Sequence, residues 1–435
     1  MAISDLTRQS LPGPHNIVRT VLDNGITVLV YENHATQSVV LAGSLATGSI
    51  FEPPEKNGLA SITAASLMRG SETRTFDAIN SALEDIGADL DIDAGVHRTG
   101  FFGKALAEDL ATIAGILGDV LQQPAFPAAQ IERLRGEIIT GLKIRQQDTR
   151  YRANRAFHEQ LYPPNHPYHR SVRGTLDTVP QITIDDIRDF HRRHFGPSGM
   201  IVAVVGAVRA DEAIDIVRHA LERWRNPDQP EAPPLPHVAA PTQTQRRFVP
   251  LPGKTQADLV VGTIGPARKD ADYYAAMLAN SVLGQFGMMG RVGEKVREEL
   301  GLAYDVGSSI NAGHGPGPWS VSAGVNPANV DRALEAIVAE LERLVREPVS
   351  AEDLENVQSY YIGRLPLQLE SNEGIANTLV NIETYGLGLD YLLRYRDTIM
   401  RLTREDLLAA AQRYIKPDAL VVAVAGPESR PQSAS

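Results

Sequence analysis

Hydrophobic and polar residues follow two different periods along this chain, and each period predicts a kind of element. Short apolar runs such as residues 200–208 are typical of buried strands. Longer segments, for example residues 110–121 and 330–344, space their apolar side chains three and four residues apart, as an amphipathic helix does. Strands that alternate with such helices predict an α+β fold with helices on one face of a sheet.

A segment from the middle of the chain recurs near its end. Residues 182–206 and 402–426 both contain a Thr-x-x-Asp pair, a helix-forming stretch, a proline, and a run of Val and Ala that ends in glycine. Each copy predicts a capped helix, a turn and a buried strand. Residues 36–45 and 255–264 match at almost the same offset. Two matches in one register predict that the chain is a duplication.

A proline-rich segment separates the two copies. Residues 226–247 hold six prolines and few apolar side chains, which predicts an extended linker. We therefore expect an N-terminal domain over residues 1–225 and a homologous C-terminal domain over residues 248–435. Residues 1–14 and 427–435 are expected to be frayed ends.

Composition narrows the classes of function. The 435 residues are 43% hydrophobic, and 53 acidic against 42 basic side chains give a formal charge of -11 without a basic block, so nucleic acid is not an expected partner. Cysteine is absent, which excludes disulfides, thiolate nucleophiles and cysteine-bound zinc. The apolar runs fall short of the roughly 20 residues that span a bilayer, and the first residues lack a signal-peptide pattern. We expect a cytoplasmic protein with no membrane contact.

Four short motifs carry a resemblance to a known family. They are Gly-Leu-Ala at residues 58–60, Arg-Gly-Ser at 69–71, Gly-Ala at 87–88, and a His-Pro stretch with a later Gly-Thr at 166–175. In these motifs and in its two halves, the chain resembles the insulinase and pitrilysin family of zinc peptidases, close to the mitochondrial processing peptidase branch. The resemblance implies two homologous α+β domains, each a mostly antiparallel sheet with helices on one face, arranged as a clamshell.

The zinc motif of that family is missing from this sequence. In catalytic members a His-x-x-Glu-His helix supplies two zinc ligands and a general base. The matching positions here are Ser61 and Ala65 for the histidines and Ala64 for the glutamate, and the third ligand position matches Leu142. The resemblance therefore implies that this chain holds neither a metal nor another cofactor, and that zinc belongs to a partner subunit.

A motif in the second half retains its polar residues. Residues 284–313 predict a helix that ends at Gly301 and a strand that starts at Leu302. In catalytic members an arginine and a tyrosine at this spacing contact the substrate backbone, and Arg297 and Tyr304 match them. Without the resemblance, an arginine near a helix C-terminus and a tyrosine packed in a strand would explain the same residues.

Histidines form two further candidate sites, and we expect both to be structural. His191 and His194 are three residues apart near a helix end, with Glu159 or Asp189 as conceivable additional ligands, but a last helical turn favours histidine through its dipole. His166 and His169 flank Pro167 in what we expect to be a surface loop.

The resemblance implies a non-catalytic, substrate-binding subunit of a heteromeric zinc metallopeptidase. A homologous zinc-bearing subunit, in a heterodimer or a larger assembly, would complete the active site, and an extended peptide would be the substrate. On this hypothesis Arg297 and Tyr304 contribute in trans, and the chain is inactive alone. The alternative is a structural or assembly subunit without a proteolytic role, like the core proteins of a respiratory complex that resemble this family.

Overall fold

The protein is described by a computed structural model that covers residues 11–287 and 289–428. The expectation of frayed ends falls largely on residues 1–10 and 429–435, which lie outside the described residues. No helix of the described part combines the length and apolarity needed to cross a membrane.

The strands of the described chain form two separate sheets. Their bounds are β1 Ile17–Val21, β2 Thr27–Glu32, β3 Ser38–Leu45, β4 Asp89–Ala94, β5 Thr99–Leu106, β6 Ile201–Gly206, β7 Gln245–Pro250, β8 Ala257–Ile264, β9 Ala303–Ile310, β10 Pro318–Val325 and β11 Val421–Gly426. The strand order is β1-β2-β6-β3-β5-β4 in the first sheet and β7-β11-β8-β10-β9 in the second. Each sheet is antiparallel except for one parallel pair, β2 with β6 and β7 with β11.

The helices fall between these strands. Their bounds are α1 Leu59–Leu67, α2 Phe76–Glu84, α3 Leu110–Gln122, α4 Ala128–Gln146, α5 Thr149–Leu161, α6 Ile184–His194, α7 Ala210–Leu221, α8 Tyr273–Gly284, α9 Gly290–Val292, α10 Val330–Arg346, α11 Ala351–Gln368, α12 Asn372–Tyr385, α13 Tyr391–Met400 and α14 Arg404–Tyr414. With the two mixed sheets, they confirm the predicted α+β class.

The predicted duplication is confirmed by the structure. The sequence β2-β6-β3-β5-β4 in the first sheet corresponds to β7-β11-β8-β10-β9 in the second, so equivalent strands occupy equivalent places. The repeated helices α6 and α14 both begin with a capping box, from Thr183 with Asp186 and from Thr403 with Asp406. In each box the threonine hydroxyl accepts the aspartate amide at 3.1 Å. The same local sequence therefore starts the same helix twice.

The chain divides into two compact units that are not continuous in sequence. Unit 1 comprises the described residues of Met1–Gly141, Ser171–Pro234 and Arg364–Arg396, and unit 2 those of Leu142–Arg170, Leu235–Gly363 and Asp397–Ser435. The domains expected from the sequence are continuous, whereas each unit takes one segment from the opposite half. Strand β7 also begins at Gln245, inside the expected linker.

The exchanged segments contain helices that cover sheet faces. In unit 1, α1, α2, α3, α6 and α7 pack on one face of the sheet, and α12 covers the other face through Ile375, Ala376 and Leu379. In unit 2, α5 covers one face through Ala153, Ala156 and other apolar residues. Because successive strand residues point to opposite faces, a sheet with two apolar faces needs helices on both. A helix from the other half of the chain supplies the second layer in each unit.

Candidate functional site

Helix α1, to which the resemblance assigns the zinc motif, has a buried carboxylate at its N-terminus. Gly58 precedes α1 with φ of +100°, a conformation that favours glycine. The carboxylate of Glu52 accepts the amide of Asn57's side chain at 2.7 Å and the backbone amides of Gly58 at 3.1 Å and Ala60 at 3.0 Å. A negative charge at a helix N-terminus is stabilised by the unpaired amides there. Sequence reasoning missed Glu52, because its partners lie across a loop.

The four positions that correspond to the zinc ligands and the base do not fit a metal. Ala64 has no exposed surface and Ser61 only 8%, while Ala65 is half-buried. Leu142 is buried near the end of α4. Methyl and isobutyl groups offer no lone pairs, and one hydroxyl is a poor zinc ligand. Among residues 11–287 and 289–428, no group of three or more His, Asp or Glu side chains could hold a metal ion.

The second-half motif contains a π-helical segment that the sequence did not predict. Helix α9 continues as a π-helical turn over Gly293–Glu299, in which the Leu300 amide donates to the Lys295 carbonyl at 3.2 Å. Such turns are rare and frequently occur at functional sites. Arg297 lies in this turn with about a third of its side chain exposed, and its Nε is 3.3 Å from Oε1 of Glu298.

A sharp reversal joins the π-helical turn to β9. The amide of Gly301, at φ of +61°, donates to the Arg297 carbonyl at 3.2 Å, and the Leu302 amide donates to the Val296 carbonyl at 2.9 Å. The π-helical turn consequently packs against β9, so the segments that carry Arg297 and Tyr304 are adjacent in unit 2. The helix-turn-strand order predicted around Gly301 agrees with this arrangement.

Tyr304 lies in a β-bulge on an edge strand. In the ladder between β9 and β10, Gly324 pairs with Asp305 and the next residue, Val325, pairs with Ala303, so Tyr304 has no cross-strand partner. Its side chain is 87% exposed. Bulges re-aim side chains and are over-represented next to active sites. The exposure excludes strand packing as the reason for this tyrosine, and the bulge could not be inferred from sequence spacing.

The candidate histidines make structural contacts. Burial lowers the pKa of His191 to about 4, and its Nε2 lies 2.9 Å from the Leu121 carbonyl. Burial also lowers the pKa of His194 to about 4, and this ring packs between Phe51 and Phe190. These contacts give both partly buried histidines a structural role, as expected from the sequence.

His166 differs from its expected place in a surface loop. Its side chain is fully buried, stacks on Tyr162 with ring centroids 4.9 Å apart, and accepts the Tyr168 amide at 3.1 Å. His169 Nδ1 lies 2.8 Å from the Tyr162 carbonyl. Burial lowers the pKa of His166 to about 4. Both histidines are structural, as expected, but they stabilise a turn in the interior and not a surface loop.

Comparisons with known proteins cover most of the chain. The family description "Insulinase (Peptidase family M16)" matches residues 27–175, and "Peptidase M16 inactive domain" matches residues 181–361. An uncharacterized zinc protease of Streptomyces coelicolor is 27% identical over 86% of this chain and 82% of its own length. A probable mitochondrial-processing peptidase subunit beta of Arabidopsis thaliana is 25% identical over 65% of this chain and 53% of its own length.

A solved structure shares the fold. The crystal structure of a peptidase M16 inactive domain from Pseudomonas fluorescens superposes with a TM-score of 0.88, covering 96% of this chain and 99% of that one at 24% identity. The family resemblance read from the sequence motifs is thereby confirmed, together with the two-sheet architecture.

Proposed function

Because the chain belongs to the insulinase family, peptidase family M16, and has Ser61, Ala65 and Leu142 at the zinc-ligand positions, we propose that it is the non-catalytic, substrate-binding subunit of a heteromeric zinc metallopeptidase. A homologous subunit with an intact zinc motif would hold the metal and the general base. This chain would contribute Arg297 and Tyr304 to a shared active site.

The observation that carries the proposal is the exposed Tyr304 in its bulge. A β-bulge disrupts the ladder and leaves one residue unpaired, so its presence on an edge strand favours a role for the side chain that it presents. The Tyr304 side chain is exposed to solvent, so it contributes nothing to the packing of the core. Packing within this chain therefore does not account for the tyrosine.

The chemistry of the two side chains suits peptide hydrolysis. When an amide is attacked, negative charge develops on its carbonyl oxygen, and hydrogen-bond donors aimed at that oxygen lower the barrier. The Tyr304 hydroxyl can donate one such bond, and the Arg297 guanidinium can donate charge-assisted bonds to this or a neighbouring carbonyl. Strand β9 lies at a sheet edge, where an extended peptide can add through main-chain hydrogen bonds.

The first test is peptidase activity against an unstructured peptide. The purified chain should be inactive alone and should become active when mixed with the zinc-motif homologue from the same genome. Full activity of the chain by itself would disprove the proposal. An inactive mixture in which the two chains nonetheless associate would favour the alternative, a structural or assembly subunit.

Substitution of the two side chains separates those functions further. Tyr304→Phe removes only the hydroxyl, and we expect kcat of the mixture to fall by about a hundredfold while assembly is unchanged. Arg297→Gln should give a loss of similar kind. Tyr360→Phe and Arg346→Gln alter side chains of the same unit at other exposed or partly exposed surface sites and serve as matched controls. Equal turnover in all four variants would contradict a catalytic contribution from the pair.

A further inference from the structure

Three residues of the second sheet lie in one row across neighbouring strands. Asp258 of β8 is paired with Gly324 of β10, and Gly324 is paired with Asp305 of β9. Directly paired residues project to the same face of a sheet. Both carboxylates lie on the face that α5 covers. Gly324 between them has no side chain, and the Gln256 amide occupies the space over it and donates to both oxygens of Asp258 at 3.2 Å.

The N-terminal end of α5 contacts both carboxylates. The Arg150 guanidinium donates through Nη2 to the Asp305 carboxylate, and its Nε lies 3.7 Å from Oδ1 of Asp258. Thr149 donates from its hydroxyl to Oδ2 of Asp258 at 2.5 Å. The hydrogen bond to Asp305 and the two nearby carboxylates raise the pKa of Arg150. One arginine therefore links a helix, a central strand and the edge strand.

The ion pair between Arg150 and Asp305 contacts β9 directly beside the bulge. Asp305 directly follows Tyr304, the residue that the bulge leaves without a cross-strand partner. An edge strand is held by a ladder on one side, and the bulge interrupts that ladder at Tyr304. The ion pair at Asp305 supplies a restraint that the backbone hydrogen bonds do not provide at this point.

We propose that Arg150 is a positioning residue, which fixes the bulge conformation of Tyr304 by holding Asp305 against α5. Its effect on turnover rests on the proposed function, whereas its effect on the conformation of β9 does not. The positioning residue thus comes from the first half of the sequence, whereas the tyrosine that it positions belongs to the second-half motif.

Amide hydrogen exchange of the full-length chain tests the restraint without a partner. Arg150→Gln and Asp305→Asn should each speed exchange of residues 303–306 by up to about fivefold, the effect of losing one partly exposed ion pair. Exchange in the double variant should be about as fast as in either single variant, because both substitutions remove the same contact. Arg150→Lys keeps the charge but cannot span both carboxylates, so it should restore protection only in part.

Arg247→Gln is the matched control. Arg247 Nη1 lies 2.8 Å from Oε2 of Glu159, so this pair also joins α5 to the sheet, at strand β7 on the opposite edge. Its loss should leave exchange of residues 303–306 unchanged. Equal exchange in Arg150→Gln, Asp305→Asn and the unsubstituted chain would overturn the inference, as would an equal increase in Arg247→Gln.

Turnover of the mixture with the zinc-bearing homologue gives the second readout. If Tyr304 acts in the reaction, Arg150→Gln should lower kcat and leave KM unchanged, because the interaction that is lost is made in the transition state. Faster exchange together with normal turnover in Tyr304→Phe would reject the shared-site function and still support the restraint. Normal exchange with reduced turnover would reject the restraint alone.

Discussion

The carboxylate of Glu52 accepts the backbone amide of Gly58 at 3.1 Å, directly before helix α1. The same carboxylate also accepts the side-chain amide of Asn57 and the backbone amide of Ala60. The start of α1 is therefore stabilised by a carboxylate that accepts three hydrogen bonds.

Replacement of this cap should destabilise the protein. Glu52→Gln turns one acceptor oxygen into a donor that faces other donors, and hydrogen bonds to a charged group contribute about 2 kcal/mol. We expect a loss of that size in the free energy of unfolding, measured by urea denaturation. Glu55→Gln changes an exposed neighbour and should cost less than about 0.5 kcal/mol. Equal losses in the two variants would rule out the capping role.

Restoration of the zinc motif should fail for reasons of packing. In a Ser61→His, Ala64→Glu, Ala65→His variant, the new carboxylate replaces a methyl group without exposed surface. An unpaired buried charge costs about 3 kcal/mol or more, so the melting temperature should fall and zinc should not bind stoichiometrically. Ala111→Glu, at an exposed position on α3, is the control and should be nearly neutral. A stable variant with one zinc per chain would contradict this account.

The two capping boxes offer a comparison within one chain. Thr183→Ala and Thr403→Ala should each cost about 1 kcal/mol, since each removes the same capping hydroxyl. The two aspartates of the boxes should differ in how much they contribute to the free energy of unfolding. Asp186 also accepts from Lys56 Nζ at 2.7 Å, and its pKa is lowered by the hydrogen bonds from Lys56 and Thr183, which outweigh burial. We expect Asp186→Asn to be more destabilising than Asp406→Asn in urea denaturation, and the reverse order would disprove the contribution of Lys56.

Acid should destabilise unit 1 through His191. Its pKa is about 4 in the folded protein, below the value of 6.5 for a free histidine, so the unfolded chain binds the proton first as the pH falls. Stability from this residue is complete above pH 6.5 and is lost progressively towards pH 4, by up to about 3 kcal/mol. His191→Leu should flatten that part of the pH dependence in urea unfolding. An unchanged slope would show that the imidazole is not kept neutral by burial.

Local patterns predicted the repeated elements well. The Thr-x-x-Asp boxes and the Val-rich strands depend on residues a few positions apart, so α6, α14, β6 and β11 could be located from the sequence. The assignment of Ser61, Ala64, Ala65 and Leu142 to the zinc-ligand and base positions stays a prediction.

Features that depend on distant partners could not be predicted. The helices α5 and α12 have ordinary amphipathic patterns, and nothing in a pattern states which sheet a helix covers. The bulge at Tyr304 follows from the register between β9 and β10, and Glu52 acts on amides across a loop. Each is set by tertiary packing, for which one sequence supplies no local signal.

The exchanged helices also govern the order in which the protein can mature during synthesis. A ribosome delivers β1 to β6 long before α12, so Leu29, Val40 and Ala203 remain without the helix that covers them in the finished fold. The second sheet waits for β11, near the end of the chain. Unit 1 therefore stays incomplete until α12 has emerged, and unit 2 stays incomplete until translation has passed residue 426.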